Sequence, residues 1–598
     1  MSISVDNLDL KVISFSRRLS RLFIVEDFQK EGNDPHKPTL YIAVTCDASI
    51  MGGRVDLIHF APTYNGNTVD FKYTATASIL IIETEFGKME VCFDGPDTIR
   101  FRSDNGIGAE FYVEFNVHDM FVDRLDGTVE FGYPGRGQFL LEAVTGVQGH
   151  NNKWLGPQMR SSNTTVKWDA VNGALEAYIT FSTVEVNRPD LRDFDECVIE
   201  NRVDFNEWCE KYPELEEKYS DTRLYAAYSI WICHMPPLGV LPAYAIYMMR
   251  AGFITRAMAW QQSYQAMALW RDQHLCFELL QNMFYLQDEF GMLPDNANEM
   301  SIVSLASKPP FQGFALMWIF DHIPFDELDP ELCEKLYYPM TRWIGWWMTM
   351  RDGDWDGLPA YMHADESGWD DSTIFVDGTP VATPDLAAFL VLAMEACSTL
   401  ARRIGKLDEA EAHMSESKAM LEKMIKNFWT GEKFICLREV THKAVDSESI
   451  VAYFPIILGK RLPQEIIDKI AADLGDPTKF KTPQGFTSES LSSPYYDDSM
   501  GGYALGMRLA PAQFIVILGL YYAGKRELAL EQARIWCDLG IDAGPLTVWR
   551  KPVPIPMGDD PFHPPIFTGI KPPGGFTSWG SAIFFVLAEL LHEAQGEE

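Results

Sequence analysis

Two hydrophobic periods divide this chain of 598 residues. Up to about residue 180, apolar positions alternate with polar ones or run in short β-branched stretches: TLYIAVTC, SILIIETEF, KMEVCF, TIRFRS, AEFYVEFNV and ALEAYITFSTVEV. Gly, Asn and Asp turns separate them, which is the signature of strands. Their regular spacing predicts an antiparallel β-sandwich domain over residues 1–185. A charged stretch at 186–220, NRPDLRDFDE through YPELEEKYSD, predicts a linker.

From residue 221 to 598 the apolar period becomes helical. The pattern predicts helices near 221–234, 256–271, 273–290, 311–322, 330–350, 384–405, 408–428, 447–458, 463–474, 508–524, 526–540 and 577–594. Asp329-Pro330-Glu331 and Thr383-Pro384-Asp385 place proline in a first turn, and Gly405, Gly524 and Gly540 supply stops. Twelve helices make six hairpins, and six hairpins close a double-layered (α/α)6 barrel, a six-hairpin toroid. The connections 351–383, 475–507 and 541–576 are too rich in Gly, Pro and Asp for helix and too long for simple connectors. Such loops carry function.

Composition narrows the class. Apolar residues make up 47% and aromatics 13%, enough for a large core, while 16 Trp and 23 Tyr also suit a sugar-binding cleft. Fifty basic against 85 acidic residues give a net charge of −35, which would repel a nucleic acid over most of the surface. The ten cysteines form no CxxC pair, and several sit in apolar helical contexts, as expected of reduced, buried thiols. The first residues lack a signal-peptide core and the apolar runs fall short of a membrane span, so the expectation is a cytoplasmic protein without membrane or nucleic-acid partner. No cofactor is called for, since neither a Cys-His metal spacing nor a Gly-rich phosphate loop occurs.

The most specific string is His363-Ala364-Asp365-Glu366-Ser367-Gly368-Trp369-Asp370-Asp371-Ser372, in the loop before a long helix. It crowds four carboxylates around one tryptophan. Like charges raise one another's pKa, and an apolar wall adds a desolvation term of the same sign. A carboxylic acid still protonated near neutrality is what a general acid requires. A solvated turn with capping acids is the plainer alternative. Upstream, Asp352-Gly353-Asp354-Trp355-Asp356-Gly357 opens with calcium-loop spacing, but its twelfth position is His363 rather than Glu, which favours a bare acidic turn.

ESGWDDS resembles the signature of trehalases, mannosylglycerate hydrolases and processing α-glucosidases, members of the six-hairpin glycosidases. The similarity to the bacterial mannosylglycerate-hydrolase-like branch extends through RDGDWDGLPAYMHADESGWDD, TPDLAAFLVLAMEA, GFTSESLSSPYYDDSMGGYALGMRLAP, GGFTSWGSAIFFVLAELL and the front-end string HFAPTYNG. The resemblance implies an inverting hydrolase in which Asp370 is the general acid, with Glu366 and Asp371 holding substrate or tuning the proton. Trp369 and Tyr503 join them as expected substrate contacts, as do His363 and Trp579, with an ordinary loop histidine and helix-packing core as the respective alternatives.

The departures bear on substrate. Where relatives have Gly-Tyr-Trp-Arg-Gly-Pro, this chain has Gly502-Tyr503-Ala504-Leu505-Gly506-Met507, and where they carry Trp-Asp it has Trp260-Gln261. The relatives' catalytic base is a Glu in a C-terminal string whose counterpart here, Asp559 through Gly569, has none, leaving Asp559 or Asp560 to activate water. Gln, Ala and Leu in place of polar sugar contacts make a less polar pocket, so a small glycoside with an apolar aglycone is the expected substrate class. Two alternatives stay open: a non-hydrolytic acid catalyst (an isomerase or cyclase of an apolar metabolite), and a carbohydrate-binding protein without catalysis.

Overall fold

A computed structural model describes residues 5–26, 39–45, 55–116, 119–153, 161–250, 254–304, 306–498, 503–544, 548–549 and 577–596. The N-terminal part is an antiparallel β-sandwich. One sheet orders its strands Leu22–Glu26, Leu40–Val44, Val55–Tyr64, Ile107–Asn116, Ser161–Asp169 and Val147–His150. The other runs Met120–Asp123, Val129–Tyr133, Gly137–Thr145, Leu175–Ser182, Thr98–Ser103, Lys88–Phe93, Leu80–Glu83 and Lys72–Ala75. Strand alternation turns Phe60, Phe101, Phe111 and Trp168 inward, where their rings meet edge to face or stacked between the sheets.

The stretch read as a linker is largely helix. Helix α1 (Phe194–Cys209) is capped by the Asp193 side chain, which accepts from the amides of Asp195 and Glu196. Phe194 and Cys197 pack on Cys92 of the sheet, and Asn201 donates to the Phe93 carbonyl. Charged residues on its exposed face, such as Asp195, Glu196 and Glu207, are part of what made the stretch read as a linker.

The helical part contains α2 (Ser220–Cys233), α3 (Gln261–Ala268), α4 (Gln273–Gln281), α5 (Gln312–His322), α6 (Pro330–Met350), the short α7 (Ala364–Ser367), α8 (Pro384–Arg403), α9 (Leu407–Phe428), α10 (Gln464–Gly475), α11 (Ala510–Tyr522), α12 (Arg526–Ala543) and α13 (Ser578–Gly596). The expected helix at 447–458 is a 3₁₀-helix, Ile450–Arg461, interrupted by Pro455 and by Gly459 in a non-helical conformation. The start of the expected 256–271 helix is a strand pair, with Ala257–Met258 bonded to Asn296–Ala297.

Burial sorts these elements. Helices α5, α8, α11 and α13 are apolar and buried almost all round, α3 is buried all round although half of its residues are Gln or Ser, and α6, α9 and α10 bury one face. Each buried helix packs on the next: α13 on α3, α3 on α5, α5 on α8, α8 on the 3₁₀-helix, that helix on α11, and α11 on α13. The sequence placed no membrane-length apolar segment here, yet α8 is long and apolar enough to cross a membrane. Its apolar stretch is 89% buried within the protein, as a core helix must be.

Candidate functional site

Asp370 sits just beyond α7. His363 caps that helix, its Nδ1 accepting from the Asp365 amide at 3.2 Å, and Gly368 ends it in the left-handed region at φ 78°. Only glycine fits there, because a Cβ on Gly368 would lie 2.5 Å from the Trp260 ring. Beyond the turn, Ser372 donates to Ser449 at 2.9 Å, and Thr373 donates to the buried Glu489 carboxylate at 2.9 Å. The segment bearing Asp370 and Asp371 is thus fixed on both sides.

The Asp370 and Asp371 side chains stay accessible to solvent, yet dense surrounding protein pushes both carboxyls above their usual range. For Asp370 burial is the largest cause. Lys308 opposes it, and the charges of Asp365, Asp371 and Asp295 add to it. Asp371 accepts from the Ala504 amide at 2.6 Å, which partly offsets its own desolvation. Lys308 is buried, donates to the Asp365 carbonyl and stands 3.5 Å from Asp295, whose carboxyl burial also pushes up. Nothing in the local pattern of SLASKPPF or LPDNANEM advertised Lys308 or Asp295. Lys308 alone had a faint signal, as a single cation in a largely apolar stretch.

An aromatic floor adjoins the acids. Trp260 contacts Trp579, Trp369, Tyr264 and Phe311, with ring centroids 5.3–6.5 Å apart. Tyr503 is near enough to Asp370 and Asp371 that their charges join burial in pushing its hydroxyl up, and Tyr503 does the same to Tyr264. Gln261 Oε1, the Tyr264 hydroxyl and Trp579 Nε1 are buried, and none has a hydrogen-bond partner among the described residues. Buried polar atoms rarely go unpaired without a reason.

Two expected substrate contacts, Glu366 and Trp369, also have structural partners. The Glu366 carboxylate is buried and bonded: Arg351 donates to Oε1 at 2.6 and 3.0 Å, and the Met362 amide donates to Oε2 at 2.7 Å. It holds the turn. Trp369 is buried between Trp260 and Phe454. Leu505 accepts from the Asp497 amide at 2.7 Å through its carbonyl and frames the turn beside Asp371. Asp559 and Asp560 lie outside the described residues.

Residues 255–539 match the family model of the mannosylglycerate hydrolase MGH1-like glycoside hydrolase domain. Over those residues the chain is similar to that group of glycoside hydrolases. A bacterial glucoamylase complexed with acarbose matches the structure with a TM-score of 0.59 at 9% identity, over 99% of this chain and 95% of that one. A GH63 mannosylglycerate hydrolase from Thermus thermophilus, in complex with Tris, matches with a TM-score of 0.46 at 15% identity, over 56% of this chain and 94% of that one. No curated protein matches by sequence. The helical part of this glycoside-hydrolase-like chain therefore has a glucoamylase-like fold, preceded by the β-sandwich.

Proposed function

We propose that this protein is an inverting glycoside hydrolase of a small glycoside, with Asp370 as general acid and a carboxylate of the 559–560 pair as base. The ring of buried helices that pack each on the next supports a closed (α/α)6 barrel with Asp370 over its aromatic floor. One observation carries the reading. Asp370 is an accessible carboxyl on the ESGWDDS loop, and the protein around it favours its protonated form. A carboxylic acid in that state delivers its proton to a glycosidic oxygen as the bond to the anomeric carbon lengthens, while water attacks from the opposite face.

Gln261, Tyr264 and Trp579 could offer polar contacts to a hydroxylated ligand. Asp371, Tyr503 and Trp260 complete the proposed glycone site, and the substitutions at Ala504 and Leu505 leave room for an apolar aglycone. The test is an NMR time course of wild type and Asp370→Asn against α- and β-glycosides, aryl and terpenoid aglycones included. The expected result is release of the inverted sugar by wild type, reduced about 10²–10⁴-fold in Asp370→Asn. Release at equal rates by both proteins, or with retained configuration, would sink the proposal.

A further inference from the structure

A cavity of about 310 Å³ opens where the second sheet of the sandwich meets the helical part. Strand register assembles its sandwich side. Met120 lies opposite Gly132, Tyr133 opposite Gly137, and Gln138 opposite Ser182, so neighbouring strands bring their ends to one place. The tight turn Tyr133-Pro134-Gly135-Arg136 crosses that end, closed by the Arg136 amide donating to the Tyr133 carbonyl at 2.9 Å. Gly135 takes φ 75° in it, as the residue after proline must in such a turn. The opposite wall is Met300, at the tip of the hairpin formed by Asn296–Ala297 and Ile302–Val303. The root of that hairpin is Asp295, the acid beside Lys308.

The lining is one-sided in charge. It holds a single cation, Arg136, and no acid, in a chain with 85 acidic against 50 basic residues. Arg100, Arg102, Arg124 and Arg188, on or beside the same sheet, each meet a carboxylate at 2.6–3.3 Å. The half-buried Arg136 guanidinium meets none among the described residues. Two further donors stand with it. Gln138 Oε1 accepts from the Val186 amide at 3.2 Å, which leaves its Nε2 to donate elsewhere, and the exposed Thr183 hydroxyl lies at the rim. Much of the remaining wall is apolar, with Met120 facing the same space as Met300. Methionines adapt to an uneven partner, and clefts between domains are a preferred place for small ligands.

We propose that this cavity binds a small organic monoanion, a carboxylate carried on an apolar ring or short chain. Arg136 grips the carboxylate, and Met120 and Met300 enclose the apolar body. A guanidinium fork matches the two oxygens of a carboxylate. One cation balances a monoanion, whereas a phosphate dianion would keep an unpaired charge against methionine walls. An uncharged sugar would leave the guanidinium without a counter-charge. Because the sandwich turn and the hairpin supply opposite walls, the bound anion bridges the two halves of the chain, at a place that no residue of the Asp370 turn lines.

Benzoate is the probe. The full chain is labelled with methyl-¹³C methionine, the Met120 and Met300 signals are assigned through Met120→Leu and Met300→Leu, and calorimetry gives the affinity. Benzoate should shift both signals, with half-saturation at about 10⁻⁵–10⁻³ M, the range open to a ligand this small. Benzamide, of the same shape without the charge, should bind at least about tenfold more weakly, and so should benzoate to Arg136→Gln. Thr183→Trp, at an exposed position, should fill the mouth and lose the methyl shifts while melting as wild type does. Asp370→Asn should bind benzoate like wild type, so failure of the glycosidase reading leaves this site standing. Signals unmoved by benzoate, an affinity indifferent to Arg136→Gln, methyl shifts that survive Thr183→Trp, or equal shifts from inorganic phosphate or glucose would each overturn the assignment.

Discussion

At the scale of single residues, the chemistry turns on how Asp370 is poised. Lys308 is the one positive charge among the groups that shift it, and it acts in the opposite direction to the surrounding acids. Replacing it, as in Lys308→Met, removes the charge that favours the ionised carboxylates of both Asp370 and Asp295. A general acid works only while protonated. The alkaline limb of the pH–rate profile should therefore move to higher pH, with the rate on the acidic plateau changed by less than about tenfold. An unmoved limb would mean that Lys308 is merely structural. Gly368 is the second sensitive position. Gly368→Ala must hold an L-residue at φ 78° and push a methyl group into Trp260, a cost of about 2–4 kcal/mol. Denaturant unfolding measures it, and a loss below about 1 kcal/mol would show that the turn can relax. Asp370 itself was legible because a rare string surrounds it. Lys308, Asp295 and Arg351 were not, because their roles arise from approach in space, 19 to 75 residues away along the chain.

At the scale of elements, the reading succeeded where a local signal and the fold agree. Asp329 caps α6 and Pro330 opens it, and the helix spans Pro330–Met350, the stretch that the pattern predicted. It failed where burial rather than period decides. Residues 450–458 are apolar all round, so period could not distinguish an α-helix from the tighter 3₁₀ form that Pro455 and Gly459 impose. At the start of α8, Asp385 is a wholly buried acid whose carboxyl burial raises to about 6, with its Oδ2 accepting from the Tyr361 hydroxyl at 2.9 Å. Because its folded pKa lies above the unfolded value of 3.8, the native state holds the proton more tightly. The resulting stability is full below pH 3.8 and is lost as pH rises to about 6. Relative to Asp385→Asn, wild type should lose about 3 kcal/mol between pH 3.5 and pH 7, read from paired denaturant melts at the two pH values. A difference independent of pH would show that another group carries the proton.

At the scale of the whole molecule, the two hydrophobic periods mark two architectures but not two independent stabilities. One apolar core runs continuously from Val5 through the sandwich to Leu591 of α13. Buried polar contacts tie the halves as well. Arg250 donates to Ser16 Oγ at 3.0 Å and to the Ser20 and Leu22 carbonyls, while the Tyr228 hydroxyl donates to the Ser14 carbonyl at 2.9 Å and accepts from the Ser16 amide at 3.2 Å. Arg18 and Trp231 share Asp204 of α1 at 2.8–2.9 Å. Separating the sandwich from the helices would bare this core and strand several buried groups, each costing about 1–3 kcal/mol. Neither half should therefore survive the loss of the other. Calorimetry of the full chain should show the sandwich and the helices melting in one transition. Arg250→Met, which leaves the Ser20 and Leu22 carbonyls without their guanidinium donor, should lower that transition as a whole by at least about 3 kcal/mol without splitting it. Two resolved transitions in wild type would mean that the contacts crossing from sandwich to helices are too weak to couple them. A variant that shifts only part of the signal would place the cooperative boundary at the Arg250 cluster instead of outside the molecule.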